Sequence, residues 1–218
     1  MLKQRVITAL VLLAILLPAL FYPSVVPFAV VVLLLMAASA WEWARLNGYG
    51  MGPSVAAGIV CVALCALAWQ SGWLLQPLTG LWLVGGVLWV LGSAAMLYAG
   101  VSGWPRVPVL LRLLGGLLVL WLAWLAAVQA RMVGINFLLS ALALVWVADI
   151  AAYFAGRAFG LRFTKNRLAP SISPGKSWEG VWGGGVGVLV LALVWVVADA
   201  VWQAPVASLF TRLTSHGG

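Results

Sequence analysis

Seven apolar runs, each long enough to cross a bilayer, divide this chain at short breaks rich in Gly, Pro and Arg. They fall at residues 6–22, 25–43, 54–73, 78–100, 109–130, 134–155 and 181–203. Runs of about 20 apolar residues are the mark of membrane-spanning helices, because hydrocarbon satisfies no backbone polar group and a helix satisfies its own. Of the 218 residues, 65% are hydrophobic and only 7% are charged. Soluble domains carry about 25% charge, so a soluble enzyme, a disordered tail and a disulfide scaffold are excluded. The expected fold is an all-α polytopic membrane protein of about seven helices. The first run follows Lys3 and Arg5 and reads as a signal anchor rather than a cleaved leader.

The net charge is +8, from 12 basic and 4 acidic residues. The basic residues are scattered between apolar runs, so they read as topology signals and contacts to anionic headgroups or phosphates, and nucleic acid is not an expected partner. A cytoplasmic N-terminus places 1–5, 44–53, 101–108 and 156–180 inside. With Arg112 these segments hold 10 of the 12 basic residues, the asymmetry that sets orientation. Two regions follow: N-terminal helices over 1–130, and a C-terminal membrane region over 131–218 that carries the cytoplasmic loop 156–180. Cys61 and Cys65 share one helix face and read as packing residues. Trp41, Trp43, Trp73, Trp104 and Trp202 lie near span ends, as in an interfacial aromatic belt. His216 has no Cys or His neighbours with which to build a zinc site.

Ionisable groups inside a membrane are costly, which makes each a functional candidate. Glu42 is explained by an ion pair with Arg45, and Asp199 by its place near a span end. Asp149 differs. With Tyr153 and Arg157 it is spaced i, i+4, i+8, so the three line one helix face running toward the loop. An Asp–Arg bridge is the structural alternative. The loop carries Arg162, Lys165, Arg167 and Lys176 among Thr164, Ser171, Ser173 and Ser177, and its Ser-Pro-Gly-Lys-Ser turn opens into the seventh span. Free N–H groups at a helix start, beside a lysine and hydroxyls, suit a phosphate. The turn is not a Walker A loop, lacking its first glycine and preceding strand. A loop that only sets orientation is the alternative. Glu179, in the first helical turn, either caps that helix or joins Asp149 at a metal ion. Gly180, Gly183, Gly184, Gly185 and Gly187 leave one helix side bare, for close packing or for a lipid chain.

At these residues the sequence resembles the bacterial phosphatidate cytidylyltransferase family. The matching stretch is Ala148-Asp149-Ile150-Ala151-Ala152-Tyr153-Phe154-Ala155-Gly156-Arg157, then Lys165 to Arg167, then Leu168 through Gly180. Trp41-Glu42-Trp43 fits more weakly. The resemblance implies a multi-pass protein of the bacterial inner membrane. It implies CTP and phosphatidate as substrates among membrane lipids, magnesium as cofactor, and CDP-diacylglycerol and pyrophosphate as products. It makes Asp149, Lys176 and Glu179 the catalytic candidates. Tyr153, Arg157, Lys165, Arg167, Ser171, Ser173 and Ser177 become candidate substrate ligands, with Asp149 and Glu179 the candidate metal ligands. A homodimer is a further expectation. The family also has an acid-rich C-terminal signature, of which Ser215-His216-Gly217-Gly218 matches only His-Gly-Gly. The expectation is therefore a chain corresponding to the N-terminal and middle parts of such an enzyme, which by itself releases little pyrophosphate from CTP and phosphatidate until the family's C-terminal segment is added. The competing readings are a transporter or channel for an anionic substrate, and a non-catalytic remnant. Paired Asp-x-x-x-Asp motifs of polyprenyl transferases are absent.

Overall fold

The computed structural model describes residues 2–170 and 172–215, apart from the side chains of Leu2 and Arg5. Ser171 and His216, both singled out in the sequence, lie outside the described residues. Among the described residues there are eight α-helices: α1 (Leu2–Phe21), α2 (Val26–Leu46), α3 (Met51–Gln70), α4 (Thr79–Ala99), α5 (Val109–Val133), α6 (Ile135–Phe159), α7 (Trp178–Val201) and α8 (Leu209–Ser215). Among the described residues, the six helices α2 to α7 are long and apolar enough to cross a membrane, while the apolar part of α1, Val6–Phe21, is shorter. The first turn of α1 is given over to Lys3, Gln4 and Arg5. The protein is thus an all-α polytopic membrane protein.

One element departs from the all-α pattern. Between α6 and α7 the chain forms an antiparallel hairpin of β1 (Arg167–Ala169) and β2 (Ser173–Ser177), with Arg167 opposite Ser177 and Ala169 opposite Ser173. Strands this short carry no readable alternation. On the loop side, α6 and α7 also outlast their apolar runs. Gly156 to Phe159 complete α6, so the interhelical segment is 160–177 rather than 156–180. Helical hydrogen bonding does not stop where lipid contact stops.

The chain divides into two compact units, Met1–Tyr98 with Ser102–Met132, and Ala99–Val101 with Val133–Gly218. In the first, α2 packs on α3 through small side chains. Ala40, Ala44, Ala57, Cys61 and Cys65 are all buried, and both cysteines are free. Several tryptophans bond to carbonyls on neighbouring helices. Trp124 Nε1 donates to Ala29 O at 3.0 Å, and Trp43 Nε1 to Arg112 O at 2.9 Å. Trp43 is thus a packing residue as well as an interfacial one, whereas Trp202 is 79% exposed. Arg131, in the last turn of α5, closes the end of α1. Its Nε donates to Leu20 O and its Nη2 to Tyr22 O, both at 2.8 Å. These are carbonyls that a helix end leaves without partners.

In the second unit, α6 and α7 pack closely along their length. The bare side of α7 faces the small residues of α6. A Cβ on Gly183 would stand 2.1 Å from Ala155 Cβ, and one on Gly187 would stand 2.5 Å from Ala151 Cβ. The glycines are therefore used for helix contact, one of the two uses the sequence leaves open. Gly185 has nothing near its Cβ position. Gly183→Ala is expected to cost about 1–3 kcal/mol through overpacking, read as a lower melting temperature in detergent. Gly185→Ala is the control, and equal effects would refute the contact.

At the other end of this pair Asp199 organises α8. Its carboxylate accepts from Asn136 Nδ2 (2.8 Å), Ser208 N (2.9 Å) and Thr211 Oγ1 (2.6 Å). Its role is structural, as its position near a span end implies.

Candidate functional site

The segment between α6 and α7 is tied down by one side chain. Glu179, in the first turn of α7, is only 5% exposed. Its Oε1 accepts from Phe163 N (3.0 Å), Thr164 N (2.7 Å) and Thr164 Oγ1 (2.9 Å), and its Oε2 from Leu161 N (3.2 Å). An ionised carboxylate is an acceptor only, with about four lone-pair positions. Four donors from residues 161–164 meet it here. Glu179 thus works as a latch that folds the start of the loop onto α7, a task different from the catalytic and metal-binding ones expected of it.

Ser177 also has a structural task. It is buried at the N-cap of α7, and its Oγ accepts from Gly180 N at 3.3 Å. A Cβ on Gly160 would lie 3.4 Å from that oxygen, and one on Gly156 would lie 3.5 Å away. The hydroxyl is therefore enclosed where α6 and α7 approach. Ser177 thus serves as the helix cap.

Latch and cap leave the cations outward. Arg162, Lys165, Arg167 and Lys176 are all exposed, and none pairs with a carboxylate among the described residues. Arg167 donates from Nη1 to Pro174 O across the hairpin, which holds its guanidinium in place. Arg162 lies over the Phe159 ring at 5.9 Å. Ser173 is half-buried in β2. Four positive groups on a short latched segment form a field that favours a polyanion.

Beside the latch lies a cavity of about 400 Å³ lined by Thr164, Lys165, Asn166, Trp178 and Trp182. Trp178 and Trp182 are four apart on α7 and both exposed, at 41% and 68%. Asn166, Trp178 and Trp182 were not predicted as site residues. The i, i+4 pair of indoles next to a basic loop was the available signal.

The predicted stripe on α6 is present. Asp149, Tyr153 and Arg157 are all exposed, and Arg157 Nη1 donates to Tyr153 Oη at 3.3 Å. They lie off the face that carries Ala148, Ala151, Ala152 and Ala155 against α7. Asp149 accepts no hydrogen bond and makes no ion pair among the described residues. The Asp–Arg bridge considered as the structural alternative is therefore not formed.

These facts bear on a divalent cation. No three His, Cys, Asp or Glu side chains converge among the described residues. Glu179 is occupied by its four donors, so an Asp149–Glu179 pair does not fit a metal ion. Asp149 alone does fit one pattern, since magnesium is commonly held by one or two carboxylates together with substrate phosphates.

The fold and this segment define a class: a multi-pass membrane protein with a latched, cation-rich interhelical loop. The chain belongs to the cytidylyltransferase family, whose family model matches residues 3–218. It is similar to phosphatidate cytidylyltransferase of Pseudomonas aeruginosa, 39% identical over 191 residues, which is 84% of this chain and 66% of that protein. It is also similar to phosphatidate cytidylyltransferase of Haemophilus influenzae, 32% identical over 216 residues, covering 90% of this chain and 73% of that protein. A Brucella suis protein of the same name is 43% identical over 81 residues, 35% of this chain and 28% of its own. The chain thus spans about two thirds of the length of the first of these relatives. No solved structure matches.

Proposed function

We propose that this chain carries the substrate loop of a CTP:phosphatidate cytidylyltransferase acting at the cytoplasmic face of a bacterial inner membrane. A phosphate oxygen of phosphatidate attacks the α-phosphorus of CTP. The bond from the α-phosphorus to the bridging oxygen breaks, pyrophosphate leaves, and CDP-diacylglycerol stays in the membrane. The observation that supports this most is the latched segment 160–177, with its four outward cations, in a chain of this family. Phosphoryl-type transfer leaves a protein little covalent work. It must hold two anions in line and offset their charge.

In this reading Lys176, Lys165, Arg162 and Arg167 offset phosphate charge, and Glu179 and Ser177 hold the backbone that presents them. Trp178 and Trp182 offer ring faces on which a base stacks. Asp149 would hold a magnesium ion, which when bound supplies charge neutralisation at the phosphates. Tyr153 and Arg157 carry the stripe from Asp149 toward the loop.

The test is purified protein in phosphatidate-containing mixed micelles with CTP labelled in its cytosine. Label entering the lipid supports the reading, and CTP turnover with no label in lipid would overturn it. Lys176→Ala is expected to weaken CTP binding by about 1.5–3 kcal/mol, the scale of a charge-assisted hydrogen bond. Lys3→Ala, an exposed cation of α1, should leave binding within twofold. Equal losses would mean that only general surface charge matters.

A further inference from the structure

Helix α4 buries none of its residues, although it belongs to the first unit. Its early turns lean on α5. Trp82 Nε1 donates to Gln129 Oε1 at 3.1 Å, and a Cβ on Gly85 would stand 3.6 Å from Leu122 Cδ1. Its later turns stand away. Leu88, Trp89, Gly92 and Met96 wall a cavity of about 930 Å³ whose other walls come from α2, α5 and the 3₁₀ turn Val101–Arg106. The volume is at the upper end of the roughly 300–1,000 Å³ of small-molecule sites. A wedge this large between spanning helices does not stay empty in a bilayer.

The wedge is mostly apolar, with Ser39, Glu42, Ser93 and Arg112 as its polar lining. Arg112 is set in a fixed pose. Its Nε donates to Val107 O at 2.8 Å and its Nη2 to Pro105 O at 3.2 Å. Its guanidinium lies over Trp104 at 5.4 Å, and Trp104 stands edge-on to Trp43 at 6.0 Å. A guanidinium has five N–H donors, so others stay unused. Glu42 is answered by Arg45 at 3.8 Å, and no carboxylate pairs with Arg112 among the described residues. The charge left over at the polar end is positive.

We infer that this wedge is a binding site for one anionic glycerophospholipid, its acyl chains against α4 and α5 and its phosphate on Arg112. The shape is a cleft with one cationic end, which matches an amphiphile with a charged head. A second copy of the chain would need a projecting element to fill it. The site is separate from the loop at 160–177, and the inference does not rest on the transfer reaction.

Gly115 and Gly92 line the wedge, and a Cβ on either meets nothing within 4 Å. Gly115→Leu therefore enters the wedge from a position with room for its Cβ. Native mass spectrometry of the full chain, released from detergent with phosphatidylglycerol or phosphatidylethanolamine added, reads occupancy directly. The wild type is expected to retain one phosphatidylglycerol. Gly115→Leu should reduce retention at least tenfold with an unchanged melting temperature, and Arg112→Gln should abolish the preference for phosphatidylglycerol. Equal retention by wild type and Gly115→Leu would overturn the site. So would a wild-type dimer that Gly115→Leu converts to monomer without loss of lipid, since the wedge would then be covered by protein.

Discussion

Asp149→Asn is expected to lower cytidylyl transfer by two to three orders of magnitude while leaving the melting temperature unchanged. The first half follows from cost. Asp149 stands six residues before the end of its apolar run at 155, about 9 Å along the axis at 1.5 Å per residue. At that depth an acid is expensive, and Asp149 has neither donor nor cation to offset the expense. In the proposed reaction such a group would be matched by a cation and the substrate phosphates together. Asn keeps the shape and removes the charge, and loss of one preorganised electrostatic partner typically costs about 10²–10³ in rate. The second half follows from the same isolation, since no hydrogen bond within the chain is lost. Rate and melting curve are both needed. Activity within twofold of wild type would remove Asp149 from the site, and a large fall in melting temperature would make it a structural residue.

Glu179→Gln is expected to cut activity by about a hundredfold by a different route. Oε1 takes three donors and Oε2 takes Leu161 N. An amide in that place must turn N–H groups toward a donor that needs an acceptor. The start of the loop is then released, and misplacing a charge-bearing segment by about 1 Å can cost on the order of 10² in rate. Limited trypsin digestion separates this from a metal role. A released loop becomes cleavable after Arg162, Lys165 and Arg167, and no amount of magnesium restores the rate. If the variant stays as resistant as wild type and high magnesium rescues it, Glu179 is a metal ligand after all.

The contrast between these two acids shows what the sequence discloses. Asp149 was legible because a helix converts spacing into direction: i, i+4, i+8 is one face wherever the helix packs, and the structure has that face exposed. Asp199 and the cysteine pair were legible for similar reasons of position. The donors to Glu179 were not. They are mostly backbone N–H groups 15 to 18 residues away, and a backbone N–H has no letter in the sequence. The cap made by Ser177 was not legible either, because a hydroxyl beside a lysine reads equally as phosphate ligand and helix cap. The hairpin was hidden by strands of three and five residues. The exposed length of α4 was hidden too, since a helix apolar all round looks the same facing lipid as facing protein.

The bond from Arg131 to the end of α1 also has a consequence in time. The carbonyls of Leu20 and Tyr22 receive their guanidinium from a residue 111 and 109 positions later. At a synthesis rate of about 5–20 residues per second, α1 waits on the order of 5–20 s for the group that closes it. Through that interval α2, α3 and α4 leave the ribosome one after another. The end of α1 is therefore closed only once α5 has been made, by a helix four elements later in the helix order.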